Sequence, residues 1–162
     1  MSGSAGADRF LDAARELGLD PDVHRFPEGT KTAQDAARAI GCELGQIVKS
    51  LVFMVAGSPV LALTSGANRV DTGALAALRG QTEARRATPE EARTATGYAV
   101  GGTPPFGHPG VVPAYVDEDL LGFEVVWAAA GTPDSVFPLG PRDLVRLAEA
   151  TPARFTETPP RG

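Results

Sequence analysis

Ile47-Val48-Lys49-Ser50-Leu51-Val52-Phe53-Met54-Val55 is an apolar run rich in β-branched residues, with one charge in it. Branched side chains suit a pleated surface, so the run reads as a buried strand rather than a helix. Lys49 is the feature that needs a reason, because lysine is rarely buried unless its ammonium is paired or reaches water. The chain has 15 basic residues, of which only Lys31 and Lys49 are lysines. Where arginine is the default cation, a lysine in a core strand supplies a compact point charge with a tunable pKa. The plainer reading is a strand-end lysine that snorkels outward. The segment alone leaves both open.

Working outward, Gly57-Ser58-Pro59 is a turn and residues 60–64 form the returning strand, which predicts an antiparallel hairpin at the centre of a sheet. Upstream, Ser4 can cap a helix over residues 5–17 whose Phe10, Leu11, Ala14 and Leu17 share a face, with Gly18 ending it. A short extended piece follows at 23–26, in which His24 reads as a strand residue rather than a ligand. Thr30 or Thr32 caps a second helix running to Ile40, and Gly41 terminates it. Downstream, Asp71 caps a helix over 72–78. Thr88-Pro89-Glu90-Glu91 is a helix start with a capping threonine, proline at the first position and acids in the first turn. Residues 98–100, 112–116, 124–129 and 135–139 read as extended. Pro141 opens a last helix, 142–150. Residues 151–162, with three prolines and a polar remainder, read as a tail expected to be disordered. Short strands mixed with short helices give an α+β domain over residues 5–150 rather than a regular βαβ series.

The totals set limits. One domain is expected for 162 residues, and 43% hydrophobic content marks a globular chain. A net charge of −5 argues against a nucleic-acid binder held by a large basic surface, though not against a local basic patch. Cys42 is the only cysteine, so no internal disulfide can form, and nothing nearby would make it a reactive thiolate. His24 and His108 stand alone, so no metal site is expected. Neither a signal peptide nor a membrane-spanning run is evident, and a cytoplasmic protein is the simplest expectation.

Chemistry is expected at two places. Gly101-Gly102-Thr103-Pro104-Pro105-Phe106-Gly107-His108-Pro109-Gly110 is the most loop-like stretch, read as serving no part in the core. A stiff glycine-proline loop with bare N–H groups suits an oxyanion or a ligand carbonyl, and equally a long structural turn. It lacks the lysine ending of a nucleotide P-loop and the glycine spacing of a dinucleotide fingerprint. Arg79, Arg85 and Arg86 gather in one region, as a solvated basic edge or a phosphate contact.

Four ordered blocks together resemble the YbaK/prolyl-tRNA-synthetase-associated domain family, which includes free-standing aminoacyl-tRNA deacylases. They are Gly29-Thr30-Lys31-Thr32-Ala33-Gln34-Asp35 with Ile47-Val48-Lys49-Ser50-Leu51; Asn68-Arg69-Val70-Asp71; Thr96-Gly97-Tyr98 with the loop from Gly101 to His108; and Tyr115-Val116-Asp117 with Ala130-Gly131 and Pro141-Arg142-Asp143-Leu144. The likeness spans roughly residues 8 to 150. It implies a curled, mixed, largely antiparallel β-sheet, a partial barrel, flanked by short helices. It implies hydrolysis of the ester between a small, wrong amino acid (Cys, Ala or Ser) and the 3′ end of a tRNA, most often tRNA for proline, without a cofactor. The expected catalytic set is Lys49, Gly101 and Gly102. Lys31, Thr103, Pro104, Pro105, Phe106, Gly107, His108 and Gly131 are the expected substrate-binding residues. Arg69, Arg79, Arg85 and Arg86 are candidates for tRNA contact, and prolyl-tRNA synthetase is a candidate partner. The chain departs from the family pattern at Ala74, where relatives often carry lysine, and His108 falls where the family varies. The competing expectation is a non-catalytic module of the same fold that binds a small amino acid or a synthetase.

Overall fold

The computed structural model describes residues 2–26 and 32–157. The expected hairpin is present and central. Strand β2 (Val48–Val55) pairs antiparallel along its whole length with β3 (Ser58–Ser65). They are the second and third strands of a five-stranded sheet completed by β4 (Ala84–Arg86), β5 (Ala114–Asp117) and β8 (Thr151–Ala153), in the order β4-β2-β3-β5-β8. The β3–β5 and β5–β8 pairs are parallel, so this sheet is mixed. A three-stranded antiparallel sheet, β1 (His24–Arg25), β7 (Ser135–Leu139) and β6 (Val126–Ala129), lies beside it. Five helices flank the sheets: α1 (Ser2–Glu16), α2 (Ala33–Ile40), α3 (Thr72–Leu78), α4 (Pro89–Thr96) and α5 (Pro141–Ala148). The class is α+β, as expected.

Helix ends follow local chemistry. Thr32 caps α2 by accepting the Asp35 N–H, and Gly41 closes it at φ 85°. Asp71 caps α3 through the Ala74 N–H. Thr88 and Glu91 form a reciprocal capping box on α4. Each cap satisfies donors that the helix itself leaves orphaned.

Alternation along β2 builds two cores. Val48 and Val52 face one side with Leu61, Leu63, Val116, Phe10 and Phe137. Phe53 and Val55 face the other with Val60, Ala62, Leu75 and Phe155. Phe10 and Ala14 of α1 are fully buried, whereas Leu17, placed on the same face by its spacing, is 44% exposed beyond the helix end.

Four expectations change. The loop from Gly101 does serve the core: Pro104, Pro105 and Phe106 are buried, and the Phe106 ring lies 5.6 Å from that of Phe10. Its glycines turn the backbone sharply enough to bring these apolar rings beneath α1. Residues 98–100 form no strand, and Tyr98 is instead buried with the Arg9 guanidinium over its ring. Residues 84–86, read only as a basic cluster, form edge strand β4. Residues 151–157 of the expected tail are part of the fold, and 158–162 lie outside the described residues. β8 extends the sheet, its Pro152 is tolerated on an outer strand, and Phe155 is fully buried against α3. A polar average concealed one phenylalanine that fills a core.

Phe155→Ala is therefore expected to lower unfolding stability by about 3–5 kcal/mol, the usual loss on emptying a phenylalanine site. Urea denaturation measures it. A midpoint equal to wild type would show that the segment after Ala150 adds nothing to the core.

Candidate functional site

The two sheets meet at a parallel bridge between Ile47 and Trp127 and diverge from it. Between them opens a cleft of about 590 Å³, lined from the β2 side by residues 47–52 and from the β6 side by residues 127–129. Helix α2 closes one wall with Thr32, Ala33 and Ala36, and the loop after α4 closes another with Gly101 and Thr103. The size suits a small ligand or the end of a larger one.

Strand pairing explains why a cleft exists here. Gly66 donates its N–H to the Ile47 carbonyl at 2.7 Å, which sets the hydrogen-bonding phase of the β2–β3 ladder. In an antiparallel ladder that phase alternates, so Val48, Ser50 and Val52 turn their N–H and C=O groups away from β3. The Ala87 N–H meets the Val52 carbonyl at 3.0 Å, where β4 takes over. Among the described residues no strand pairs with β2 between the Ile47 bridge and Val52. The peptide groups of Ser50 thus face the cleft. On the opposite wall, the Ala130 N–H bonds to the Ser135 carbonyl, so β6 turns the N–H and C=O of Trp127 and Ala129 away from β7; those of Trp127 serve the bridge at Ile47, which leaves those of Ala129 toward the cleft.

Lys49 is half-buried at the rim. By alternation its side chain leaves β2 on the face of Leu51 and Phe53, opposite to Ser50. Its Nζ donates to the Asn68 carbonyl at 2.7 Å. The Asn68 side chain is held in turn by Asp117 at 2.9 Å and Asp119 at 2.7 Å, and the buried Asp117 also accepts the Ser65 N–H at 3.0 Å. Burial lowers the Lys49 pKa below the ordinary lysine value. Arg86 and Arg69 push it the same way, and Asp117 opposes them. An anion arriving between these cations would reverse part of that depression.

The expected site residues divide by position. Lys49, Gly101, Thr103 and Arg86 share the cleft. Gly101 sits exposed at its lip with φ 90°, a conformation that favours glycine. Gly102 is buried just behind: a Cβ there would lie 2.8 Å from the Thr132 backbone. Pro104, Pro105 and Phe106 form the buried base of the loop. His108 is not a cleft residue. Its Nε2 lies 2.8 Å from the Pro104 carbonyl, so an N–H there donates and pins the loop, and burial lowers its pKa. Gly107 and Gly131 take positive φ in turns outside the cleft lining. Lys31 lies outside the described residues.

The arginines scatter. Arg69 is exposed near Glu157, at 3.8 Å. Arg79 lies at a separate depression and donates to the Tyr115 hydroxyl at 3.3 Å. Arg85 makes two 2.8 Å bonds to Glu91, whose carboxyl it holds down at about 2. Of these, Arg86 lines the cleft with Lys49, and Arg69 lies near enough to help lower the lysine's pKa.

Sequence reasoning assigned no role to Ser50, Asn68, Asp117 or Trp127. Asn68 and Asp117 lie within the ordered blocks that carry the family likeness, which was the available signal. Ser50 lies in one of those blocks as well, a hydroxyl in a strand that is apolar but for it and Lys49. Among the described residues, its Oγ is the one buried side-chain oxygen or nitrogen without a hydrogen-bond partner. Such an orphan ordinarily costs about 1–3 kcal/mol. No group of three or more His, Cys, Asp or Glu side chains suited to a metal occurs among the described residues.

Comparison with known proteins agrees with the fold. The aminoacyl-tRNA editing domain family matches residues 27–147. A solved structure described as a candidate trans-editing enzyme for prolyl-tRNA synthetase is 47% identical, with a TM-score of 0.89 over 94% of this chain and 98% of the other. The protein YwhH of Bacillus subtilis (strain 168) is 34% identical over 76% of this chain and 78% of its own length. A proline–tRNA ligase of Nitratidesulfovibrio vulgaris (strain DP4) is 33% identical over 58% of this chain, which corresponds to only 16% of the ligase. The chain belongs to the aminoacyl-tRNA editing domain family.

Proposed function

We propose that this editing domain is a deacylase that hydrolyses the ester between a small, wrong amino acid and the 3′ end of a tRNA, with tRNA for proline the first candidate. The observation that carries the reading is the convergence of Lys49, Arg86 and the glycine-proline loop on one cleft between diverging strand edges.

An aminoacyl ester is already activated, so its hydrolysis asks for a placed water and stabilisation of a developing oxyanion. The loop offers the backbone N–H of Gly101 at the cleft lip for that charge, while the Gly102 N–H is held by the Ala99 carbonyl at 3.0 Å and fixes the turn behind it. Lys49 and Arg86 form a small cationic rim, suited to the phosphate of the terminal nucleotide. The Asn68 carbonyl holds the Lys49 ammonium in place before the substrate arrives. Alanine and valine side chains line much of the cleft wall, so the amino-acid pocket is apolar. Steric exclusion discriminates strongly against larger side chains, whereas a missing methylene is worth only about 1–3 kcal/mol.

The test charges tRNA for proline separately with alanine, cysteine, serine and proline. Wild type is expected to release one or more of the small residues and spare proline. Lys49→Ala is expected to lower kcat/KM by about tenfold to a hundredfold, the scale of losing one charged hydrogen bond to the phosphate. Tight tRNA binding with no release of any amino acid, also from total charged tRNA, would point instead to a non-catalytic binding module.

The rate should also fall at alkaline pH as Lys49 loses its proton. Because burial and neighbouring arginines depress its pKa, that limb should lie below the ordinary lysine range. Lys49→Arg should remove the limb, with uncatalysed ester hydrolysis subtracted at each pH. A limb unchanged in the arginine variant would assign the titration to another group.

Gly102→Ala tests the loop independently. The added methyl must displace the Thr132 backbone or the loop itself, so kcat should fall by at least about tenfold, with a lowered melting temperature as the cost of that shift. Full activity in this variant would remove the loop from the chemistry.

A further inference from the structure

The geometry points to Ser50 as a positioning residue that receives the α-amino group of the aminoacyl ester at the open edge of β2. The inference rests on the deacylase reading and adds to it the part of the substrate that distinguishes an amino acid from any other acyl group.

Two independent observations lead here. The first is the unpaired edge: the Ser50 carbonyl turns away from β3 into the cleft, and the Ala129 carbonyl turns away from β7 toward it from the other wall. The second is the Ser50 hydroxyl, buried and without a partner on a strand whose neighbours on that face, Val48 and Val52, are apolar. No hydrogen bond holds this Oγ in its rotamer, so rotation about Cα–Cβ can bring it toward the edge. Three oxygens, Ser50 O, Ser50 Oγ and Ala129 O, then offer acceptors between the walls, and a group rich in N–H donors matches them.

Charge selects the form of that group. The charged residues lining the cleft are Lys49 and Arg86, with no carboxylate among the described lining residues. Two nearby cations disfavour an ammonium and favour the uncharged amine, which donates two N–H bonds to neutral oxygens. An α-hydroxy acid of the same shape donates only one. The edge therefore distinguishes an aminoacyl ester from its hydroxyacyl isostere, while the apolar wall judges side-chain size.

The experiment compares two esters on one tRNA: the small amino acid that wild type releases fastest, and the corresponding 2-hydroxy acid. Wild type is expected to prefer the aminoacyl ester by about tenfold in kcat/KM, the rate equivalent of one hydrogen bond. Ser50→Ala should bring the ratio close to one by slowing the aminoacyl ester, and Ser50→Thr, which keeps the hydroxyl, should restore it. A purely structural role would slow both esters alike and leave the ratio unchanged. Release of the aminoacyl ester with a ratio that Ser50→Ala does not alter would overturn this inference and leave the deacylase reading standing. Failure of wild type to release any aminoacyl ester would overturn both.

Discussion

A single buried carboxylate ties the cationic rim of the cleft to the core. Asp117, at the end of β5, accepts the N–H of Ser65 at the end of β3 and the side-chain N–H of Asn68 in the following loop. It also accepts the Asp119 N–H at 3.0 Å, which starts the turn leading toward β6. A buried charge is tolerable only when its lone pairs are filled, and here three N–H donors fill them. The consequence reaches Lys49. With its side chain held by Asp117 and Asp119, Asn68 can offer its main-chain oxygen to the Lys49 ammonium at a set position. Removal of the carboxylate would free the loop first and the lysine with it.

The arrangement separates charge from neutral hydrogen bonding across one strand. Lys49 and Ser50 are adjacent in the chain, and the pleat sends their side chains to opposite faces. The lysine joins Arg86 and Arg69 on a side of like charge. The serine faces the apolar core with its peptide groups bare along the edge. An unpaired strand edge is ordinarily a hazard that proteins cover or pair. Here β4 covers the far half of β2 and the Ile47–Trp127 bridge closes the near end, which limits the open length to a few residues within a cleft.

Much of the frame was legible in the chain. The apolar β-branched run around Lys49, the turn at Gly57 and the apolar run that returns are together strong enough to specify the hairpin. Asp71 and Thr88 announce helix starts through hydrogen bonds that act within one turn, and such local chemistry survives folding unchanged. The misreadings share one cause: they depended on partners distant in sequence. Phe155 sits in a polar stretch and is buried because α3 and β8 bring a surface to it. Phe106 lies in a loop whose glycines suggested exposure, yet the Phe10 and Phe137 rings surround it. For the site, Lys49 stood out by its residue type in a strand. Ser50 could not, because what marks it is a missing partner and an unpaired edge, and both exist only once the two sheets are placed.

Net charge proves a poor guide to how this surface meets a polyanion. The chain carries −5 overall, yet the cleft rim carries two cations and its described lining no carboxylate. Fields at contact range are set by the nearest groups, since more distant surface charges are screened within about 8 Å at physiological salt. Of the four arginines that looked suited to tRNA, Arg85 is neutralised by Glu91 and Arg79 is directed to another depression. What remains fits the end of a strand rather than the length of a helix. Each neutralised phosphate contributes a fixed increment to salt-dependent affinity, and a rim of two or three cations contributes few such increments. On the deacylase reading, discrimination at this cleft therefore falls to the neutral part of the ligand, where the apolar wall and the bare strand edge would meet the acyl group.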